Sequence, residues 1–181
     1  MPPPTVLVPL ADGFEEIEVV TPVDLLRRAG ALVTTAALGD GIHVTGRSGV
    51  VVHADTTLSA VGTSVHDCVF VPGGPGVAVL RADPRVAQLL RLQRERDGWI
   101  ASICAGPLVL NDAGVLGGRR FTAHFSTAAE LPDALAEERV VVDGKLITSR
   151  GAGTALDLGL MVVEKLFSRE KADAVARSVS A

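Results

Sequence analysis

Residues 99–110 read WIASICAGPLVL, and the fold is decided there. Trp99 to Ile103 is a mostly apolar run of strand length, the pattern of a strand covered on both faces. Cys104 ends the run. Ala105, Gly106 and Pro107 follow, and a second apolar stretch then reads as a short helix from about Ala105 to Ala113. A buried strand that passes through small residues into a helix is the unit of a parallel sheet.

The same unit recurs outward in both directions. TVLVPL (5–10) is a short apolar strand broken by ADG, and EEIEVVTPVDLLRRAG (15–30) follows as a helix. Acidic residues open that helix, Arg27 and Arg28 close it and Gly30 stops it, an order that suits the helix dipole. ALVTTAAL (31–38) is the second strand, and residues 42–58 form a small β excursion with turns at Gly46 and Gly49. HDCVFVPGG (66–74) runs into glycines and precedes a helix from about Pro84 to Arg96. RRFTAH (119–124) is expected as a strand, and RVVVDGKLITS (139–149) as a hairpin turning at Asp143-Gly144. A helix over about 154–167 and another capped by Ser168 complete the chain. The alternation predicts an α/β fold with a mostly parallel sheet and helices on both faces. One domain over residues 1–181 is expected.

Composition narrows the function. Hydrophobic residues make up 48% and charged residues 21%, and the net charge is -4, with no basic stripe of the kind nucleic acid requires. The apolar runs are far shorter than the roughly 20 residues that cross a bilayer. MPPPTVLVPL lacks a basic segment ahead of its apolar stretch, so it is not expected to be a signal peptide. Cys68 and Cys104 are the two cysteines, which excludes a disulfide scaffold and favours a cytoplasmic setting.

In open α/β sheets ligands sit beyond the carboxyl ends of the strands. Four junctions of small residues lie at such ends: PLADGFEE, VFVPGGPG, SICAGP and TSRGAGT. Cys68 lies inside its strand and is expected to be inert. Cys104 lies where a strand gives way to a helix, where a sharp elbow and free N–H groups activate a thiol. A thiol nucleophile needs a proton partner. Glu15, Glu16 and Glu18 open the first helix near the end of the first strand. At about 100° per residue, Glu16 shares an arc with Val19, Val20, Val23 and Leu26, whereas Glu18 lies outside it near Leu25 and Ala29. Periodicity leaves the choice among the three carboxylates open. His124 ends the expected RRFTAH strand and reaches the same edge. His43, His53 and His66 show no ligand spacing, so no metal site is expected. GAGT (151–154) lacks the third glycine of a dinucleotide fingerprint, and no Walker lysine follows.

GFEEIEVVTPVDLLRRAG, VFVPGGPG, IASICAGP and LITSRGAGTALDLGL together resemble the ThiJ/PfpI family, in the branch of the Parkinson-associated protein deglycase and its short bacterial homologues. The resemblance spans nearly the whole chain and implies a flavodoxin-like three-layer sandwich, normally a homodimer. It also implies that Cys104 is an oxidation-sensitive nucleophile. Glu18, the last carboxylate of EEIE, becomes its proton-sharing partner, with Gly73, Gly74 and Ala105 as backbone donors. His124 matches a histidine that some members have and others replace. Arg28 and Arg47 are implied at the dimer edge of the pocket, although GRSG is offset from the branch's usual serine-arginine order. The peptidase-like branch has histidine directly after the cysteine, where this chain has Ala105, so a Cys-His peptidase or amidase is disfavoured. The expected activity is a cofactor-free glyoxalase or deglycase acting on a small reactive aldehyde such as methylglyoxal, or on a glycated substrate. The alternative is a stress sensor or chaperone working through oxidation of Cys104.

Overall fold

The computed structural model describes residues 2–181. In chain order the strands and helices are β1 (Thr5–Leu10), α1 (Glu16–Ala29), β2 (Leu32–Ala37), β3 (His43–Thr45), β4 (Val51–His53), β5 (Thr56–Thr57), α2 (Leu58–Val61) and β6 (Cys68–Val71). These are followed by α3 (Val77–Ala82), α4 (Pro84–Glu95), β7 (Trp99–Ile103), α5 (Pro107–Asp112), β8 (Val140–Asp143), β9 (Leu146–Ser149), α6 (Ala155–Leu166) and α7 (Arg169–Ser178).

Seven strands form one sheet in the order β5-β2-β1-β6-β7-β9-β8, parallel except where β8 returns on β9 as a hairpin. Strands buried on both faces send alternate side chains to opposite cores. Val6, Val8, Phe70 and Ile103 join α1, α6 and α7 on one side. Leu7, Val69, Val71 and Ile100 meet α3, α4 and α5 on the other. The result is a three-layer α/β fold. Strands β3 and β4 pair as a separate antiparallel sheet, the excursion expected over residues 42–58.

The chain leaves β1 in one direction to β2, and β6 lies on β1's other side. The loops after β1 and β6 therefore diverge at a switch point, where a crevice forms. Those loops are tied together: Glu15 N–H donates to the Gly73 carbonyl (3.2 Å) and Gly76 N–H to that of Gly13 (2.9 Å). Cys104, next in the chain after β7, ends at the same edge.

RRFTAH is not a strand. Both sides of β9 are taken, by β7 and β8, so residues 119–124 do not pair beside it. Their backbone bonds instead to side chains and loops, with Arg120 N–H to Asp143 (2.8 Å) and Thr122 N–H to the Thr148 hydroxyl (2.9 Å). The helix expected from Pro84 is α4, and α3 precedes it as an additional short helix. Its six residues are too few to show a helical period.

Candidate active site

The elbow after β7 places the thiol. Cys104 adopts φ +62°, the left-handed region that residues with a Cβ enter at a cost of roughly 1–2 kcal/mol. Its surroundings hold it there. Cys104 N–H donates to the Ser149 carbonyl on β9 (2.9 Å), and His124 N–H donates to the Cys104 carbonyl (2.9 Å). Gly106 must lack a side chain, because a Cβ there would lie 2.7 Å from the Val71 carbonyl oxygen. The thiol is left partly buried, whereas Cys68 on β6 is fully buried and its thiol is pushed up to about 12 by that burial.

The three carboxylates of α1 do different things. Glu15 caps the helix, accepting from the Glu18 N–H at 2.9 Å. Glu16 holds the β3–β4 turn through the Ser48 N–H at 2.7 Å. Glu18 is 1% exposed and accepts from the Gly73 N–H at 3.0 Å. The Cys104 side chain lies beside the same Glu18 carboxylate, close enough for each group to act on the other's titration. The helical wheel had placed Glu18 outside the apolar arc because α1 buries two stripes, not one. Val19, Val23 and Leu26 form one buried stripe. Glu18, Pro22, Leu25 and Ala29 form the second stripe, and Gly159 of α6 lets Pro22 and Leu25 come close.

Burial pushes the Glu18 carboxyl from 4.5 up to about 7, with the charge of Glu15 adding to the rise. The bonds from Cys104 and Gly73 and the charge of Arg47 act against it. Burial, and then the charge of Glu18, push the Cys104 thiol up to about 12, against the N–H groups of Gly74 and Ala105. The lowered thiol pKa expected at a helix N-terminus is therefore not seen while Glu18 is charged. Helix α5 starts only at Pro107, and the sulfur's neighbour is a carboxyl group whose charged form disfavours a thiolate. One negative charge shared by the two groups is favourable and two are not, so they titrate as a pair.

Gly73 separates the two groups. A Cβ there would lie 2.5 Å from the Glu18 carboxylate and 2.6 Å from the Cys104 Cβ. Gly73→Ala is expected to destabilise the fold by about 1–3 kcal/mol through overpacking. The urea midpoint measures it, and an unshifted midpoint would show that the pair is not packed this tightly.

Cys104, Glu18, Gly73, Gly74 and Ala105 thus meet. The His124 backbone clamps the elbow, and its ring Nδ1 lies 2.8 Å from the Ser126 hydroxyl. Arg47 is close enough for its charge to act on Glu18, and its N–H donates to the Phe14 carbonyl (2.8 Å). Arg28 stands apart. It is exposed in the last turn of α1, roughly 15 Å along the axis from Glu18, and pairs with Asp24 at 2.6 Å. The Ser149 carbonyl that fixes the elbow is a contributor that no local pattern announces, because β9 lies 45 residues downstream of Cys104. Among the described residues, no group of three or more His, Cys, Asp or Glu side chains is placed to hold a metal ion.

Fold and site define a doubly wound α/β protein with an elbow cysteine beside a buried carboxyl group at the switch point. The chain belongs to the DJ-1/PfpI family, whose model matches residues 4–165. The solved structure of Drosophila melanogaster DJ-1beta superposes with a TM-score of 0.94 at 38% identity, covering 99% of both chains. That of oxidized Toxoplasma gondii DJ-1 gives 0.93 at 36%, covering 97% of both. The glutathione-independent glyoxalase DJR-1.2 of Caenorhabditis elegans is 33% identical, covering 95% of this chain and 92% of its own. Arabidopsis thaliana DJ-1 homolog B is 41% identical over 93% of this chain, which spans only 39% of that relative's length.

Proposed function

We propose that the protein is a cofactor-free glyoxalase acting on 2-oxoaldehydes such as methylglyoxal, with Cys104 as nucleophile. The observation that carries this reading is the buried Glu18 carboxyl, its pKa raised to about 7, beside the Cys104 thiol and backbone donors. The glyoxalase name of the C. elegans relative supports it.

The sulfur adds to the aldehyde carbon as Glu18 takes the thiol proton. A C–S bond forms, and the carbonyl π electrons move to the oxygen. That oxyanion meets N–H groups of the Gly73-Gly74 turn and Ala105, then recovers the proton from Glu18 to give a hemithioacetal. Glu18, again a carboxylate, removes the proton on C1 and delivers it to C2, while the hydroxyl proton on the C1 oxygen passes to the C2 oxygen through an enediol, which leaves a thioester. Water hydrolyses the thioester to lactate and frees the thiol, so methylglyoxal and one water become lactate. The His124 side chain serves the pocket wall rather than the first proton transfer, being engaged by Ser126. Incubating the protein with methylglyoxal, with no glutathione present, and following lactate tests the reading. Absence of lactate would overturn it.

A second reading rests on the same thiol. The oxidized T. gondii relative supports redox sensing, in which Cys104 becomes a sulfinate held by Glu18 and the neighbouring N–H groups. Mild peroxide is expected to add two oxygens at Cys104 and none at the buried Cys68, read by mass spectrometry of the intact chain and its peptides. Equal oxidation of both cysteines would remove this reading.

The reading includes a single functional domain, a homodimer and a cytoplasmic setting that keeps both thiols reduced. Ile17 and Val20 on α1 are 53% and 50% exposed, and Val50 and Val51 on the adjoining β3–β4 hairpin are each 53% exposed. A second copy covering this apolar face brings Arg28 and Arg47 to the rim of the pocket. Light scattering is expected to give twice the chain mass, and Ile17→Asp with Val51→Asp to give the monomer. A wild-type monomer would contradict the dimer.

A further inference from the structure

The opposite end of the sheet carries a cavity of about 860 Å³, the size of small-ligand sites. Trp99 lies in its wall, at the start of the strand whose end carries Cys104, roughly 16 Å away. The chain has three lysines and one tryptophan, and all four line this cavity. Of the fourteen arginines, only Arg96 joins them. In a protein of net charge -4, that gathers four cations against Asp67 and Asp97. Asp67 is already engaged, accepting from the Thr5 N–H and hydroxyl at 2.8 Å each.

The ammonium groups are held over flat apolar surface. Lys145 Nζ lies 4.6 Å from the centre of the Trp99 ring and Lys171 Nζ 6.0 Å from that of Phe167. Lys165 pairs with Glu164 at 2.9 Å, whereas Lys145 and Lys171 have no carboxylate partner among the described residues. His66 lines the same wall, and both its ring nitrogens are buried without a hydrogen-bond partner among the described residues. Burial lowers its pKa, so the neutral ring offers one donor and one acceptor.

Cations mounted on rings, with an unused donor and acceptor beside them, match an anion that carries a flat polar ring. We propose that this cavity binds a nucleoside phosphate, its base against Trp99 and Phe167 and its phosphates among Lys145, Lys165 and Lys171. The chemistry is that of aromatic platforms combined with ammonium point charges. It is independent of the thiol site.

Because Trp99 is the only indole, its N–H resonance reports this cavity alone. Titration with ADP is expected to shift that signal saturably. Adenosine and pyrophosphate, the two halves of the ligand, are expected to act far more weakly at the same concentration. Lys145→Gln with Lys171→Gln is expected to weaken ADP binding about tenfold or more while leaving lactate formation unchanged. Three results would each overturn the proposal: no saturable response at millimolar ADP, adenosine or pyrophosphate equal to ADP, or a double variant that binds like the wild type. The last would mark the lysines as structural partners of the rings only.

Discussion

Cys104→Ser is expected to lower lactate formation from methylglyoxal by about three orders of magnitude or more, the usual cost of removing a covalent nucleophile. The hydroxyl is smaller and far less acidic than the thiol, and no base near it is strong enough to make an alkoxide. The substitution keeps the Cβ and the left-handed backbone at φ +62°, so the elbow stays as it is. Circular dichroism and the urea midpoint should match the wild type, which separates lost chemistry from lost fold. Cys68→Ala is the companion variant. Its thiol is fully enclosed between β1 and β7, and its removal is expected to leave the rate per folded molecule unchanged. A Cys104→Ser protein that turns over as fast as the wild type would end the thiol mechanism.

Glu18→Gln is expected to lower turnover about 10²- to 10⁴-fold and, in the same protein, to raise stability above neutral pH. The amide oxygen still accepts from the Gly73 N–H, but nothing remains to carry the proton. The stability change follows from the raised pKa. Below the unfolded value of 4.5 the carboxyl is protonated in both states, and its burial costs nothing extra. As pH rises from 4.5 to about 7, the folded protein keeps a proton that the unfolded chain has released, so stability falls across that window. Above it the wild type carries a penalty on the order of 3 kcal/mol that Gln does not. Urea midpoints of the two proteins should therefore converge at acid pH and separate as pH passes neutrality. Alkylation of Cys104 by iodoacetamide should also begin at lower pH in the variant, since the carboxylate that raises the thiol's pKa is gone. Equal turnover, or parallel stability curves, would remove Glu18 as the proton partner.

The parts of the fold that were legible are those whose signal is local. Buried strands such as CVFV and WIASI, the charge order of α1, the Asp143-Gly144 turn and the Ser168 cap, whose hydroxyl accepts from the Lys171 N–H, need only neighbouring residues. RRFTAH has strand composition yet no strand, since β8 holds the place beside β9 and the segment's N–H groups bond to the Asp143 and Thr148 side chains. Residues 77–82 form a helix that composition did not mark, because packing on α4 and α5 rather than periodicity stabilises it. The site divides in the same way. The unusual position of Cys104 was visible from its own neighbours, and the family resemblance singled out Glu18 where the wheel could not.

The sequence by itself determined a parallel α/β sheet covered on both faces, a thiol at a strand end and an acidic opening to the first helix. Only the tertiary structure decided how deeply the Glu18 carboxyl is buried beside the sulfur, and that every lysine gathers with the tryptophan at the far end of the sheet. Hydrophobic period and turn chemistry act over a few residues, whereas Glu18 and Gly73 stand 55 positions apart. Their contact, and the desolvation that moves both pKa values, exist only once α1 is pressed against the switch point of the folded sheet.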